Sequence, residues 1–295
     1  MRAREIAFKV LVDIETNNNY SNISINKNFK DLKVKDSEKG LATEIIYGVV
    51  EKKIFLDYII SKLSKIKIQK LSNYVKIFIR IGIYQILFLD KKNYASVNET
   101  VNLVKKYDKK SSGFVNAILR NLIRNKDEII KIDKKNKADY YSTKYSYSKD
   151  IINKFIKEFG ENFTEELLEE NSKKPNIYIR INTLKTNKEE LYKKLEDQGV
   201  KVFEVKGVDF ALRVENLKNI ENNPLFKEGL FTVQDISSMM VGLIMNPKEN
   251  SKILDICSAP GGKTTHIATL MKNTGIVVSR DIFEHKLKLI KGTVN

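Results

Sequence analysis

Eleven residues, Asp255 to Thr265, read D-I-C-S-A-P-G-G-K-T-T and hold the densest chemistry in the chain. An apolar pair, Ile253-Leu254, precedes them, and a helix-like stretch, His266 to Met271, follows. Strand, glycine-bearing turn and helix form the arrangement in which backbone N–H groups and a helix N-terminus approach a nucleotide-like ligand. Gly261 and Gly262 carry no Cβ to hold such a ligand away. Three loop readings compete. A phosphate-binding P-loop needs a glycine where this chain has Cys257, and Pro260 stiffens the turn further. The G-x-G-x-x-G spacing is not met. What remains is a Rossmann-like first loop of another type, with an acid at the end of the next strand. Ile276-Val277-Val278-Ser279-Arg280 leads to Asp281, nineteen residues after Gly262, the spacing of a carboxylate that hydrogen-bonds ribose hydroxyls. Taken singly, a Gly-Gly turn and a surface aspartate have plainer explanations. Together, between a strand and a helix, they favour a ligand site.

The elements that position this loop begin some hundred residues earlier. Ile151–Phe159 and Glu165–Glu170 read as helices joined at Gly160, and Asn176–Asn182 as a strand. Lys188–Gln198 is an amphipathic helix ended by Gly199, and strand-like pieces follow at Val200–Val205, Phe210–Val214 and Leu230–Val233. Gln234-Asp235 opens a helix through Met245 with Asp235 as N-cap, and Pro247 ends it. A small α+β module therefore leads into the loop. Upstream, the first 125 residues carry helical periodicity: Ile6, Val10 and Ile14 share a stripe, and Lys39–Val50, Ile54–Leu63 and Gly113–Ile123 continue it. Ser96-Val97-Asn98-Glu99 has a capping-box pattern, with Val97, Val101 and Val104 on one face behind it. Val75–Leu89 is the most apolar stretch, but it contains Lys76, Arg80 and Gln85 and is shorter than the ~17–25 residues of a membrane span. It reads as a central core helix. The polar stretch Asn125–Lys149, with its tyrosine-serine run, reads as a connector; its interleaved Lys and Tyr could also meet phosphates and bases.

The charge is uneven. Residues 1–150 hold 31 Lys and Arg against 17 Asp and Glu, whereas residues 151–295 hold 22 against 20. A basic half joined to a near-neutral half points to a polyanion, most simply nucleic acid. The competing explanation is compositional: 45 of the 53 basic residues are Lys, as AT-rich coding produces. One cysteine excludes an intrachain disulfide framework and, with no apolar leader segment, points to the cytoplasm.

The loop C-S-A-P-G-G-K-T-T-H resembles the S-adenosylmethionine loop of RNA cytosine-C5 methyltransferases. Ala95–Lys106 and Ser112–Leu122 resemble the NusB-like helical domain, and R-I-N-T-L-K (Arg180–Lys185) and V-Q-D-I-S-S (Val233–Ser238) resemble segments that precede the cofactor loop. This order is that of the bacterial 16S ribosomal RNA cytosine-C5 methyltransferases with an N-terminal NusB-like domain. The resemblance implies a multidomain chain. An all-α NusB-like bundle (1–130) is followed by a linker (131–148) and a small α+β RNA-binding module (149–234). The start of a Rossmann-like α/β methyltransferase domain (235–295) comes last. It implies S-adenosylmethionine as cofactor, contacted by Cys257, Ser258, Ala259, Pro260, Gly261, Gly262, Lys263 and Asp281. The loop backbone would face the methionine part and Asp281 the ribose. Lys263 either offsets the cofactor carboxylate or sits on the surface, Asp255 acts through hydrogen bonds behind the loop, and His266 is packed or capping. His285 is solvated, and Arg180 either touches RNA or makes a structural ion pair. The partner implied is 16S ribosomal RNA, with no membrane, metal or oligomer.

The resemblance also implies two cysteines, in P-C and T-C motifs well downstream of the second strand. One attacks carbon 6 of cytosine and the other helps release product. Cys257 is the only cysteine here and lies in the cofactor loop. From Lys252 onward there are 44 residues, whereas a doubly wound sheet takes about five to seven strands. The expectation is a C-terminally truncated chain, inactive as it stands, with two strands that expose apolar faces. Two other readings stay open. One is a non-enzymatic RNA-binding protein of antitermination or ribosome assembly. The other is a nucleotide hydrolase, disfavoured by the absent first glycine.

Overall fold

The structure is a computed structural model that describes residues 2–17, 19–29, 34–89 and 93–294. Met1 and Asn295, outer bounds of the expected first and last domains, lie outside the described residues. Two compact units divide at Lys173 and Lys174. No helix among the described residues is long and apolar enough to cross a membrane.

The first unit is helical. It contains α1 (Ala3–Asn17), α2 (Ser21–Phe29), α3 (Asp36–Glu51), α4 (Lys53–Leu63), α5 (Asn73–Phe88), α6 (Asn93–Tyr107), α7 (Ser112–Arg124), α8 (Lys126–Ile129), α9 (Lys137–Tyr145), α10 (Lys149–Phe159) and α11 (Glu161–Asn171). The apolar stripes meet in one core, where Ile45, Leu56, Ile59, Phe78, Ile81, Val104 and Leu119 are buried. α5 lies at its centre, as its composition predicts. Its one buried cation is matched: Arg80 donates from Nε and Nη2 to the two carboxylate oxygens of Asp57 at 2.7 and 2.9 Å, and from Nη1 to Glu15 at 3.2 Å. Buried Gln85 donates to Thr100 at 3.2 Å.

Two expectations for this unit change. The Ser96–Glu99 pattern does not start a helix. α6 begins at Asn93, Ser96 is fully buried within it, and Glu99 pairs with Arg4 instead of turning back to its own N-terminus. The polar stretch after residue 125 is not an open connector either. It folds into α8 and α9, and Tyr141 is buried with Ile152 and Leu168 of α10 and α11. The amide of Phe55 donates to Ser146 Oγ at 3.0 Å, and Tyr58 Oη donates to the Lys131 carbonyl at 2.7 Å, which fixes this segment on α4. The interleaved Lys and Tyr conceal a face on which Ala138, Tyr141, Ser142 and Tyr145 turn inward. Lys144 is drawn into it, packing over the Tyr145 ring and pairing with Glu169.

The second unit opens with β1 (Ile177–Ile181), α12 (Lys188–Asp197), β2 (Lys201–Glu204), β3 (Ala211–Glu215), α13 (Pro224–Lys227) and β4 (Phe231–Val233). The strands form an antiparallel sheet in the order β2-β3-β1-β4, with Ile179 opposite Leu212 on one side and Val233 on the other. Leu191 and Leu195 of α12 bury against Ile179, Ile181, Leu212 and Phe231. Asn187 caps α12, and Gly199 leaves it at φ +76°, a backbone that glycine adopts freely. α14 (Ile236–Met245) follows with Asp235 as its N-cap, accepting from the Ser237 amide at 2.8 Å. β5 (Lys252–Asp255), α15 (Gly262–Leu270), β6 (Ile276–Ser279) and α16 (Glu284–Val294) complete it. β5 and β6 pair in parallel, Leu254 opposite Val278. Leu254, Ile256, Ile276 and Val278 are all exposed, as expected for two strands of a parallel sheet without further neighbours.

Candidate functional site

The loop between β5 and α15 is held by its own side chains. Asp255 ends β5 and turns back: Oδ1 accepts from the Cys257 amide at 3.2 Å and Oδ2 from Thr264 Oγ1 at 2.7 Å. Ser258 is buried, and its Oγ donates to the Asp255 carbonyl at 2.7 Å and accepts from the Arg280 amide at 3.0 Å. The Ser258 amide donates to the Arg280 carbonyl at 3.0 Å, so the loop and the end of β6 are locked together. Thr293 Oγ1 of α16 donates to the Pro260 carbonyl at 2.7 Å.

The two glycines serve different ends. Gly261 has φ +112°, strained for any other residue, and a Cβ there would lie 3.1 Å from Thr293. Gly262 has ordinary backbone, and a Cβ would meet nothing closer than Gln234 at 3.7 Å. Its carbonyl is what matters locally, because it accepts from Arg180 at 2.6 Å.

Asp281 stands where the spacing places it. Its Oδ2 accepts from the Ala259 amide at 3.2 Å, joining it to the loop, and its Oδ1 accepts from the Phe283 amide at 3.2 Å. The Phe283 amide chiefly, then the Ala259 amide, Lys286 and His285, hold its carboxyl below the usual range. An ionised, half-exposed acceptor thus adjoins the loop. No side chain caps α15 at Gly261, so the N–H groups of its first turn lie uncapped at the positive end of the helix dipole. A first turn of free donors beside an ionised acid is a donor and acceptor set that fits a carboxylate and a sugar diol on one ligand. Cys257, Pro260 and Lys263 are exposed, and Ala259 is half-buried. His285 is exposed.

Arg180 does not make the structural ion pair that one reading expected. It is 4% exposed on β1 and makes no ion pair among the described residues. Besides Gly262 it donates to Thr265 Oγ1 at 2.9 Å and to the side-chain oxygen of Gln234. Burial lowers its pKa from 12.5 to about 10. Gln234, Thr264 and Thr265 were not given a role at the site from the sequence. The only local signal was two threonines directly after Lys263, and nothing local marks Gln234 as the partner of an arginine 54 residues away. His266 is packed, as one reading held. It is buried beside the Phe210 ring, neither ring nitrogen has a partner among the described residues, and burial first, with the Arg180 charge, pushes its pKa down to about 4. Gly242 of α14 lets that ring in, since a Cβ there would lie 2.7 Å from His266 Nδ1. A groove of about 780 Å³ lies next to this cluster, lined by Arg180, Lys185, Thr264, Thr265, Ser279 and Lys291 among others. None of Cys257–Lys263 or Asp281 lines it.

Three family models match the chain in order. The NusB family matches residues 1–124, the ferredoxin-like domain of RsmF/B-like methyltransferases 147–221, and 16S rRNA methyltransferase RsmB/F 242–295. The second match takes in α10 and α11, which fold within the first compact unit. The probable ribosomal RNA small subunit methyltransferase B of Bacillus subtilis (strain 168) is 32% identical over 292 residues, 98% of this chain and 64% of that protein. The ribosomal RNA small subunit methyltransferase B of Proteus mirabilis (strain HI4320) is 30% identical over 265 residues, 89% of this chain and 61% of its own length. The chain therefore spans under two thirds of these relatives. Among solved structures, PH0851 covers 100% of this chain and 67% of its own, with a TM-score of 0.72 and 25% identity. A helical NusB-like part, a ferredoxin-like module and the start of a methyltransferase domain follow one another along the sequence.

Proposed function

We infer a function from one premise: this chain belongs to the RsmB/F-type ribosomal RNA methyltransferases. It carries the NusB-like, ferredoxin-like and cofactor-loop parts of an enzyme that methylates carbon 5 of a cytosine in 16S ribosomal RNA in the cytoplasm, with S-adenosylmethionine as methyl donor. The observation that carries this reading is the loop Cys257–Lys263 with Asp281 hydrogen-bonded to its Ala259 amide. Asp281 would take the ribose hydroxyls, and the first turn of α15, helped by exposed Lys263, the methionine carboxylate. When bound, the donor supplies an electrophilic methyl group. The chain's own part is to bind it and hold its orientation.

The attack on cytosine needs a thiolate, and Cys257 is the one cysteine. Its amide is used in the Asp255 turn, and its position in the loop suits packing against the donor rather than attack on a base. The 295-residue chain alone is therefore proposed to be inactive and to act as a monomer that binds RNA through its basic half. Ligand-observed NMR with S-adenosylmethionine tests the site: an Asp281-dependent signal, lost in Asp281→Ala, supports it. Equal signals from both proteins remove Asp281 from the site. Labelled methyl transfer to ribosomal RNA by this chain would overturn the account of its missing nucleophile.

A further inference from the structure

The helical unit carries a feature that the methyl-donor site does not use. α7 buries Val115, Ile118, Leu119 and Leu122 and turns Asn116, Arg120 and Arg124 outward. On the neighbouring α6, Tyr94 is 66% exposed, an unusual position for a large ring in water. The Arg120 guanidinium carbon lies 5.6 Å from the centre of that ring, and Arg120 Nε donates to Asn116 Oδ1 at 3.0 Å, which fixes the planar group. Between them opens a pocket of about 350 Å³, lined by Tyr94, Val97, Arg120, Ile123 and Arg124. Val97 and Ile123 give it an apolar floor. Among the described residues no carboxylate lines it and neither arginine has an acidic partner.

We propose that this pocket takes one unpaired base of single-stranded RNA, stacked on Tyr94 and Arg120, with Arg124 on the adjoining phosphate. The proposal rests on the RNA-methyltransferase reading and deepens it by naming where the helical unit grips RNA. An exposed aromatic ring beside a fixed guanidinium suits bases of any sequence, because each offers a π face. Arginines without acids suit phosphate, and the surrounding half of the chain has a large positive excess, 31 basic against 17 acidic residues over 1–150. The size suits a single nucleotide, near the lower end of small-ligand pockets at roughly 300 Å³. Unpaired bases are also what proteins can read in RNA, since the A-form major groove is too narrow for side chains.

The test is fluorescence anisotropy of a labelled 12-nucleotide single-stranded RNA with the 295-residue chain. Tyr94→Ala is expected to weaken binding by about tenfold or more, the loss of one base stack, whereas Tyr94→Phe keeps the ring and the affinity. Arg124→Ala is expected to lower the slope of log affinity against log salt by about 0.7, one phosphate contact on a single strand. The same sequence as a duplex is expected to compete poorly. Because Tyr94 is exposed, these variants keep the fold, which circular dichroism checks. Tyr94→Ala binding like wild type, or duplex competing as well as single strand, overturns the pocket and leaves the methyltransferase reading standing. A wild-type chain that binds no RNA overturns the pocket together with RNA binding by the basic half.

Discussion

Arg180→Met separates two views of the loop between β5 and α15. In the structure the guanidinium reaches from β1 to Gln234, Gly262 and Thr265, so one side chain spans from the antiparallel sheet to the first turn of α15. Hydrogen bonds from a charged donor contribute about 1.5–3 kcal/mol each, so three of them give roughly 5–9 kcal/mol before costs. Against this stands the burial of an uncompensated cation. A pKa lowered from 12.5 to about 10 corresponds to roughly 3 kcal/mol at ~1.36 kcal/mol per unit. Methionine keeps much of the volume and removes both effects, leaving the loop less well held by about 2–6 kcal/mol. The alternative is that the buried charge costs as much as it contributes, in which case an apolar replacement is neutral or stabilising. Hydrogen exchange at the amides of residues 261–265 decides between them, because it reads local opening rather than the melting of a chain with two units. The reasoning requires exchange there at least roughly 30-fold faster, the counterpart of about 2 kcal/mol. Unchanged or slower exchange refutes it. Arg180→Lys is expected to behave like methionine, since a single ammonium cannot serve three separated acceptors in a fixed fork.

His266 gives a pH dependence with a definite sign. Its folded pKa of about 4 lies below the ordinary 6.5, so the stability it contributes is complete above pH 6.5 and is lost as pH falls from there toward 4. Denaturation across that window is expected to show a steeper loss for wild type than for His266→Phe; parallel curves would remove His266 as the cause. Gly275→Ala is expected to destabilise by at least about 1–3 kcal/mol, because φ is +71° and the new Cβ would lie 2.3 Å from the Ser251 carbonyl. Gly40→Ala, in α3 with nothing within 4 Å, is expected to stabilise by about 0.5–1 kcal/mol, and thermal melts that rank the two alike would contradict both. Replacing Leu254 and Ile276 with lysine is expected to reduce binding of an apolar dye to the exposed β5–β6 faces, and unchanged dye fluorescence would locate that surface elsewhere.

What the sequence made legible was local. Asp235 as a cap, Gly160 as a joint, Gly199 as a helix end and the β5-turn-α15 unit all follow from residues within one turn of each other. The distance from Gly262 to Asp281 was legible because a strand–helix–strand unit has a nearly fixed length. The misread places involve partners far apart in sequence. Ser96 sits inside the first turn of α6, and Glu99 pairs with Arg4, 95 residues earlier, a contact that no local pattern reveals. The tyrosines of α9 become a core only because Ile152 of α10 and Leu168 of α11 pack with Tyr141. Arg180 offered two conventional readings, RNA or an acid, and among the described residues no acid pairs with it. Neutral carbonyl, amide and hydroxyl oxygens that converge only in three dimensions accept from its two terminal nitrogens, while Nε has no partner among the described residues.

These long-range contacts bear on how the loop keeps its shape. β5 and β6 leave Leu254, Ile256, Ile276 and Val278 exposed, so sheet burial contributes little to fixing the turn. The turn is fixed from other directions. Asp255 ties its two ends through Cys257 and Thr264, Ser258 ties it to Arg280, Thr293 holds the Pro260 carbonyl, and Arg180 holds that of Gly262. These constraints come from β5, β6, α16 and β1, and all but the Asp255–Thr264 contact act on backbone, so the path of the loop is determined more than once. The groups a ligand would meet are the ones left over: the first-turn N–H groups of α15 and the Asp281 carboxylate. Pre-arranged donors of this kind lose little entropy when a ligand arrives. The geometry of the site is therefore separable from the burial of its sheet. Substitutions on the exposed strand faces should change solubility and leave the Asp281–Ala259 contact in place, whereas loss of Arg180 should do the reverse.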